Sequence, residues 1–164
     1  MTRTLILLRH AKSAWPQDTP DARRPLAGRG RRDAPAVGRW LSEQVPPIDL
    51  VLCSPAARAV QTWDLAAAQL DPTPQVRHDQ RLYDASADDL LAVTRELPST
   101  ASTVVLVGHN PGLEDFLQLL TGAVESLKTS AIAVMTTPAT WAEAPTRSWA
   151  LEAQVTPRGG QKPG

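Results

Sequence analysis

Residues 4–8, 49–53 and 103–107 form short, mainly apolar runs of the kind that fills a strand buried on both faces. Helical spacing lies between and after them: Ala34, Val37 and Leu41 with Trp40 alongside, then residues 56–70, then Leu90, Thr94 and Leu97. The third helix carries its own start signal, because Ser86 and Asp89 have the spacing of a capping box. The last helix is the clearest: Leu113, Phe116, Leu117 and Leu120 follow the i, i+3, i+4, i+7 rule, and Gly122 supplies a left-handed stop. Pro46 and Pro47 end the first helix, and Pro35 lies early in it. Residues 75–77 read as a weak strand, whereas 132–136 and 148–155, more polar and flanked by Pro138, Pro145 and Pro157, read as edge strands.

Strand and helix therefore alternate, which predicts an α/β fold: a three-layer α/β/α sandwich with a mostly parallel central sheet. A chain of 164 residues can bury enough apolar surface to fold alone, so one domain is expected over residues 1–156, with a disordered tail over 157–164.

Charge alters this picture by exclusion. Lys plus Arg and Asp plus Glu both total 17, leaving no global field to gather nucleic acid or an anionic membrane, and neither is expected as a partner. Anion recognition has to be local. The run Arg23, Arg24, Arg29, Arg31 and Arg32 reads as a solvated face. The single cysteine, Cys53, excludes an intramolecular disulfide and reads as a buried strand residue, and the N-terminal apolar run is too short for a signal-peptide core or a membrane span. A reducing, cytoplasmic setting is the expectation. Three histidines and one cysteine at these spacings form no metal-ligand pattern, so neither a metal nor another cofactor is expected. The five tryptophans read as packing residues.

In open α/β sheets ligands bind beyond the carboxyl ends of the strands. Arg9 and His10 follow the first strand; Ser54, Pro55 and, one helical turn on, Arg58 follow the second; Gly108, His109, Asn110 and Pro111 follow the third. Two arginines offer planar, permanently charged forks that match a phosphoryl dianion. Ser54 and Pro55 read as the N-cap and first position of a helix whose N–H groups face the same anion. A neutral imidazole is a competent nucleophile toward phosphorus, and His10 is placed for that role provided one ring nitrogen is left bare. His109 is a candidate donor to a phosphoryl oxygen as charge develops. His78, between Arg77 and Asp79, has no supporting motif and reads as structural.

At these residues the chain resembles the histidine phosphatase superfamily, which includes the cofactor-dependent phosphoglycerate mutases. Leu8-Arg9-His10-Ala11-Lys12-Ser13 is similar to its Arg-His signature, Cys53-Ser54-Pro55-Ala56-Ala57-Arg58-Ala59-Val60-Gln61-Thr62 to its second phosphate-binding segment, and Val107-Gly108-His109-Asn110-Pro111 to its second histidine motif. Arg24-Pro25-Leu26 and Thr129-Ser130-Ala131 resemble features of the small SixA-type phosphohistidine phosphatases, and the likeness covers roughly residues 4 to 136. The resemblance implies a phosphoglycerate mutase-like fold, His10 as nucleophile, Arg9 and Arg58 on the phosphate and His109 as the second pocket histidine. Ser54, Arg24 and Asn110 are expected as further substrate contacts. Ala11-Lys12 and Asn110 stand where relatives carry a Glu-containing segment or His-Asp, so the proton donor stays open, with Asp84 in Leu82-Tyr83-Asp84-Ala85 as the candidate. The expected function is hydrolysis of phosphohistidine, on a protein or small molecule, or of another small phosphoryl donor. The alternatives are a broad phosphomonoesterase and a non-catalytic phospho-ligand binding module.

Overall fold

The computed structural model describes residues 1–160, in which six strands form one sheet: β1 Arg3–Arg9, β2 Leu50–Cys53, β3 Gln75–His78, β4 Thr103–Gly108, β5 Ile132–Thr137 and β6 Ala150–Val155. Their order is β3-β2-β4-β1-β5-β6, with β3, β2, β4 and β1 mutually parallel and β5 and β6 antiparallel to their neighbours. Four helices complete the layers: α1 Gly28–Gln44, α2 Ala57–Ala67, α3 Ala87–Arg95 and α4 Gly112–Thr121. The expected three-layer α/β/α architecture is the observed one.

Alternation along each buried strand divides the core between two faces. Leu5, Leu7, Leu52 and Leu106 pack with Leu90, Leu113 and Phe116 of α3 and α4, while Ile6, Leu8, Val51 and Val105 pack with Val37, Leu41, Ala59 and Trp63 of α1 and α2. Each such side chain fully buried contributes roughly 1.5–3 kcal/mol, so the central strands hold both helical layers at once. On the second face α1 and α2 approach closely, because a Cβ at Gly38 would lie 2.0 Å from the Ala66 carbonyl oxygen.

The local signals behave as expected at two helix ends. The Ser86 hydroxyl accepts from Asp89 N at 3.1 Å and the Asp89 carboxylate from Ser86 N at 3.0 Å, completing the capping box. Gly122 ends α4 with φ of 80°. Three expectations need correction. Helix α1 begins at Gly28, so Pro35 lies in its interior; docking of buried Asp33, Ala34 and Val37 outweighs the backbone hydrogen bond that a proline removes. Strand β5 is not an edge: it lies between β1 and β6 and is almost wholly buried. The prolines that suggested an edge fall outside its ends. Helix α2 begins at Ala57 with Ala56 as N-cap, so Ser54 and Pro55 precede the helix.

Of the segment expected to be disordered, residues 157–160 are placed. Arg158 donates to the buried Asp33 carboxylate at 2.8 Å and Gly159 N donates to it at 3.0 Å. Residues 161–164 lie outside the described residues. Among the described residues no helix is long and apolar enough to cross a membrane.

Candidate active site

The register of the sheet assembles the site. Arg9 pairs with Gly108 and Cys53 with Val107, so the chain leaves β1, β2 and β4 side by side. His10 N then donates to Gly108 O at 3.2 Å and Ser54 N to Val107 O at 3.0 Å. Thr62 of α2 ties in the loop after β1, accepting from Ala11 N at 2.9 Å and donating to Arg58 O at 2.7 Å. The two histidine rings come within 5.2 Å, centroid to centroid. They face a cavity of about 250 Å³ bordered also by Arg9, Arg24, Arg58 and Asn110. Among the described residues the cavity's lining carries cationic side chains and no carboxylate.

The environment of His10 fixes its chemistry. Its Nδ1 lies 2.7 Å from Ala11 O, an acceptor, so Nδ1 carries the proton and Nε2 is left bare. Burial pushes this imidazole down to about 3; the Ala11 carbonyl opposes that shift, and His109, Arg58 and Arg9 reinforce it. The ring is neutral at physiological pH. His109 is pushed down to about 4, again chiefly by burial, then by Arg58 and Arg9 against the opposing Asp21. Its Nε2 lies 2.8 Å from the Ser54 hydroxyl, which also accepts from Ala56 N at 3.2 Å. The other ring nitrogen, Nδ1, is a buried atom with no hydrogen-bond partner among the described residues.

The guanidiniums are held by backbone carbonyls and one carboxylate. Arg9 donates to Leu127 O at 2.9 Å, and Asn110 Nδ2 to the same oxygen at 2.8 Å. Glu114 anchors that loop by accepting from Leu127 N at 2.7 Å. Arg58 donates to Asp21 O at 2.8 Å and to the Asp21 carboxylate at 3.1 Å. Arg24 donates to the other Asp21 oxygen at 2.9 Å, to Ala14 O at 3.1 Å, and to the Ser13 hydroxyl. The Nε atoms of Arg9 and Arg58 are buried with no partner among the described residues. An unpaired buried donor costs about 1–3 kcal/mol.

Asp21 and Tyr83 were not singled out in the sequence. The Tyr83 hydroxyl donates to Asp21, and this bond, with Arg24 and Arg58, holds the Asp21 carboxyl well below the usual carboxylate range. Asp21 lies in a charged, proline-containing run without periodicity, on a 3₁₀ turn, Asp21–Arg23, so no local pattern marks it. The Asp84 candidate is exposed and borders an adjoining cavity of about 100 Å³ that shares Arg58, His109 and Asn110 with the His10 site, but it does not border the His10 cavity itself.

The remaining expectations divide. His78 is exposed on β3. Cys53 is buried, and burial pushes its thiol up to about 12. Of the arginine run, Arg24 is buried and borders the site while Arg23, Arg29, Arg31 and Arg32 are exposed, so the solvated-face reading fails at that one residue. Trp15 is likewise not a packing residue, being 76% exposed at the cavity's edge. Among the described residues no group of three or more His, Cys, Asp or Glu is arranged to hold a metal ion.

The sequence pattern of the histidine phosphatase superfamily (branch 1) matches residues 5–102. An uncharacterized protein of Mycobacterium tuberculosis is 37% identical over 147 residues, spanning 83% of this chain and 90% of that one. In structure the chain is similar to a candidate phosphohistidine phosphatase SixA from Nakamurella multipartitia, with TM-score 0.86 and 32% identity over 96% of this chain and 97% of the other. The protein histidine phosphatase SixA complexed with tungstate shares the fold, with TM-score 0.77 and 24% identity over 94% of this chain and 97% of that one.

Proposed function

The chain belongs to the histidine phosphatase superfamily, and from that premise we propose that it hydrolyses phosphohistidine through a phosphoryl group carried transiently on His10. The observation that carries this reading is the 2.7 Å approach of His10 Nδ1 to the Ala11 carbonyl, which leaves Nε2 with a lone pair directed away from its backbone tether. In the first step the Nε2 lone pair attacks phosphorus and the bond from phosphorus to the substrate's nitrogen breaks. The leaving imidazole departs neutral because its other ring nitrogen, the one not bonded to phosphorus, carries a proton taken from solvent. In the second step water attacks the phosphohistidine, inorganic phosphate leaves, and His10 returns to its neutral form.

Arg9, Arg24 and Arg58 supply positive charge along this path, and the His109 ring borders the same cavity. An alkoxide leaves poorly without an acid, whereas a protonated phosphoramidate nitrogen needs less help, so a cavity without a bordering carboxylate suits the latter. The segment between α2 and β4 contains only β3, a 3₁₀ turn and α3, which keeps the approach open to a bulky donor. The similarity to the Nakamurella protein supports the same substrate class.

Asp84, bordering the adjoining cavity beside His109, favours a second reading in which it serves as the acid for ordinary phosphate monoesters. The test compares kcat/KM for a phosphohistidine peptide with that for an alkyl phosphate, in wild type and Asp84→Asn. Phosphohistidine is expected to be the better substrate in both. Higher efficiency on the ester, lost in Asp84→Asn, would replace the first reading by the second.

A further inference from the structure

Trp15 is placed where a tryptophan is costly to hold. Trp63, Trp141 and Trp149 are at most 3% exposed, whereas Trp15 is 76% exposed at the mouth of the His10 cavity. An indole left in water gives up its hydrophobic gain, and an exposed large apolar group beside a ligand site marks a contact surface. Its position is nevertheless fixed. The Arg24 guanidinium carbon lies 3.2 Å from the ring centroid, covering one face by a cation–π contact. Arg24 is itself buried and held by Ala14 O, Asp21 and Ser13.

The backbone around Trp15 is equally constrained. Ser13 bridges Leu26, Ala14 N donates to Pro25 O at 2.8 Å, and Ala27 N donates to Lys12 O at 2.8 Å. Pro16 follows directly and restricts Trp15 to extended backbone. With one face on Arg24 and most of the residue in solvent, the second face of the indole is left open, on a residue that borders the cavity.

We propose that this open face of Trp15 is the subsite for the leaving group, and that it selects phosphoryl donors whose leaving group is a flat π-system, such as the imidazole of phosphohistidine, over saturated alkyl donors. The assignment rests on the phosphatase reading but not on phosphohistidine being the substrate. Because Trp15 is already ordered by Arg24, stacking on it loses little side-chain entropy. The anion cavity binds the phosphoryl group common to all donors, and Trp15 adds a contact that only planar leaving groups receive.

The test measures kcat/KM for phenyl phosphate and for glycerol phosphate in wild type, Trp15→Ala and Trp15→Phe, together with inhibition by vanadate, which has no leaving group. The intrinsic difference between the two donors cancels when their ratio is compared across variants. The aryl-to-alkyl ratio is expected to fall roughly tenfold in Trp15→Ala and to stay within about threefold of wild type in Trp15→Phe, the range that one stacked ring supplies. Vanadate inhibition is expected to stay within about twofold. An unchanged ratio, or equal loss on both donors with vanadate inhibition weakened to match, would overturn the assignment, because Trp15 would then act only by steadying Arg24. Should a phosphohistidine peptide fail as substrate while the ratio still depends on Trp15, the subsite stands and the phosphohistidine reading falls.

Discussion

The two ends of the parallel strands carry cavities of nearly equal size and opposite chemistry. At the carboxyl ends, about 250 Å³ is bordered by Arg9, Arg24, Arg58, Lys12 and two neutral imidazoles. At the amino ends, about 280 Å³ is bordered by Leu41, Val45, Ile48, Leu70 and four prolines, with Asp71 as the one charged residue. Volume alone does not distinguish them. At the carboxyl end the chain leaves three adjacent strands at once, so residues 9, 54 and 109 converge with buried, partnerless donors. At the amino end β2 and β3 are entered from the ends of α1 and α2 through apolar and proline residues, and no cation borders that groove among the described residues.

The comparison breaks most sharply at His10. His10→Ala is expected to lower turnover of any phosphoryl donor by several orders of magnitude, since it removes the ring nitrogen proposed to take the phosphoryl group. Rapid quench with labelled donor should trap an acid-labile, base-stable phosphoenzyme in wild type and none in the variant; more than a tenth of wild-type activity in the variant would defeat the assignment.

Arg58→Ala should weaken inhibition by phosphate or vanadate by about 10- to 150-fold, the equivalent of about 1.5–3 kcal/mol for a charge-assisted contact, with Arg58→Lys recovering only part. Unchanged inhibition constants would remove Arg58 from the anion site.

The two imidazoles also leave a signature in stability. An unfolded histidine titrates near 6.5, whereas His10 is pushed down to about 3 and His109 to about 4. Between those values the unfolded chain binds protons that the folded chain refuses, so this contribution is full above about pH 6.5 and is lost as pH falls through the window. His10→Gln, neutral at every pH, should therefore show a flatter dependence of Tm on pH from 6.5 down to 4 than wild type. Superimposable slopes would mean that His10 is not held neutral.

The smallest effect is expected at the amino end. Leu70→Ala removes a half-buried side chain from the apolar groove and should cost about 1 kcal/mol of stability, seen as a shift in the urea midpoint, while kcat/KM stays within about twofold. A large loss of activity there would show that the two ends are coupled.

The sequence by itself determined the layers and the identities at the site. Apolar runs over residues 4–8 and 103–107 had to be buried on both faces, and the residues immediately after such strands had to meet at the sheet's carboxyl edge, which makes His10, Arg58 and His109 legible without coordinates. The capping box at Ser86 was equally legible, because its partners lie three residues apart and no distant contact competes. Tertiary structure decided whatever depends on contacts between distant segments. Asp21 reaches Arg58 across 37 positions and Tyr83 across 62, pairings that no local period encodes. Ser54 lies three residues ahead of α2, where its hydroxyl meets Ala56 N and His109, 55 residues away, and β5 is interior because β6, joined to it through a connection that contains Pro138 and Pro145, pairs along its outer side. Local spacing fixes which face of an element is apolar; only the packed chain fixes which polar groups are left to find one another once that face is buried.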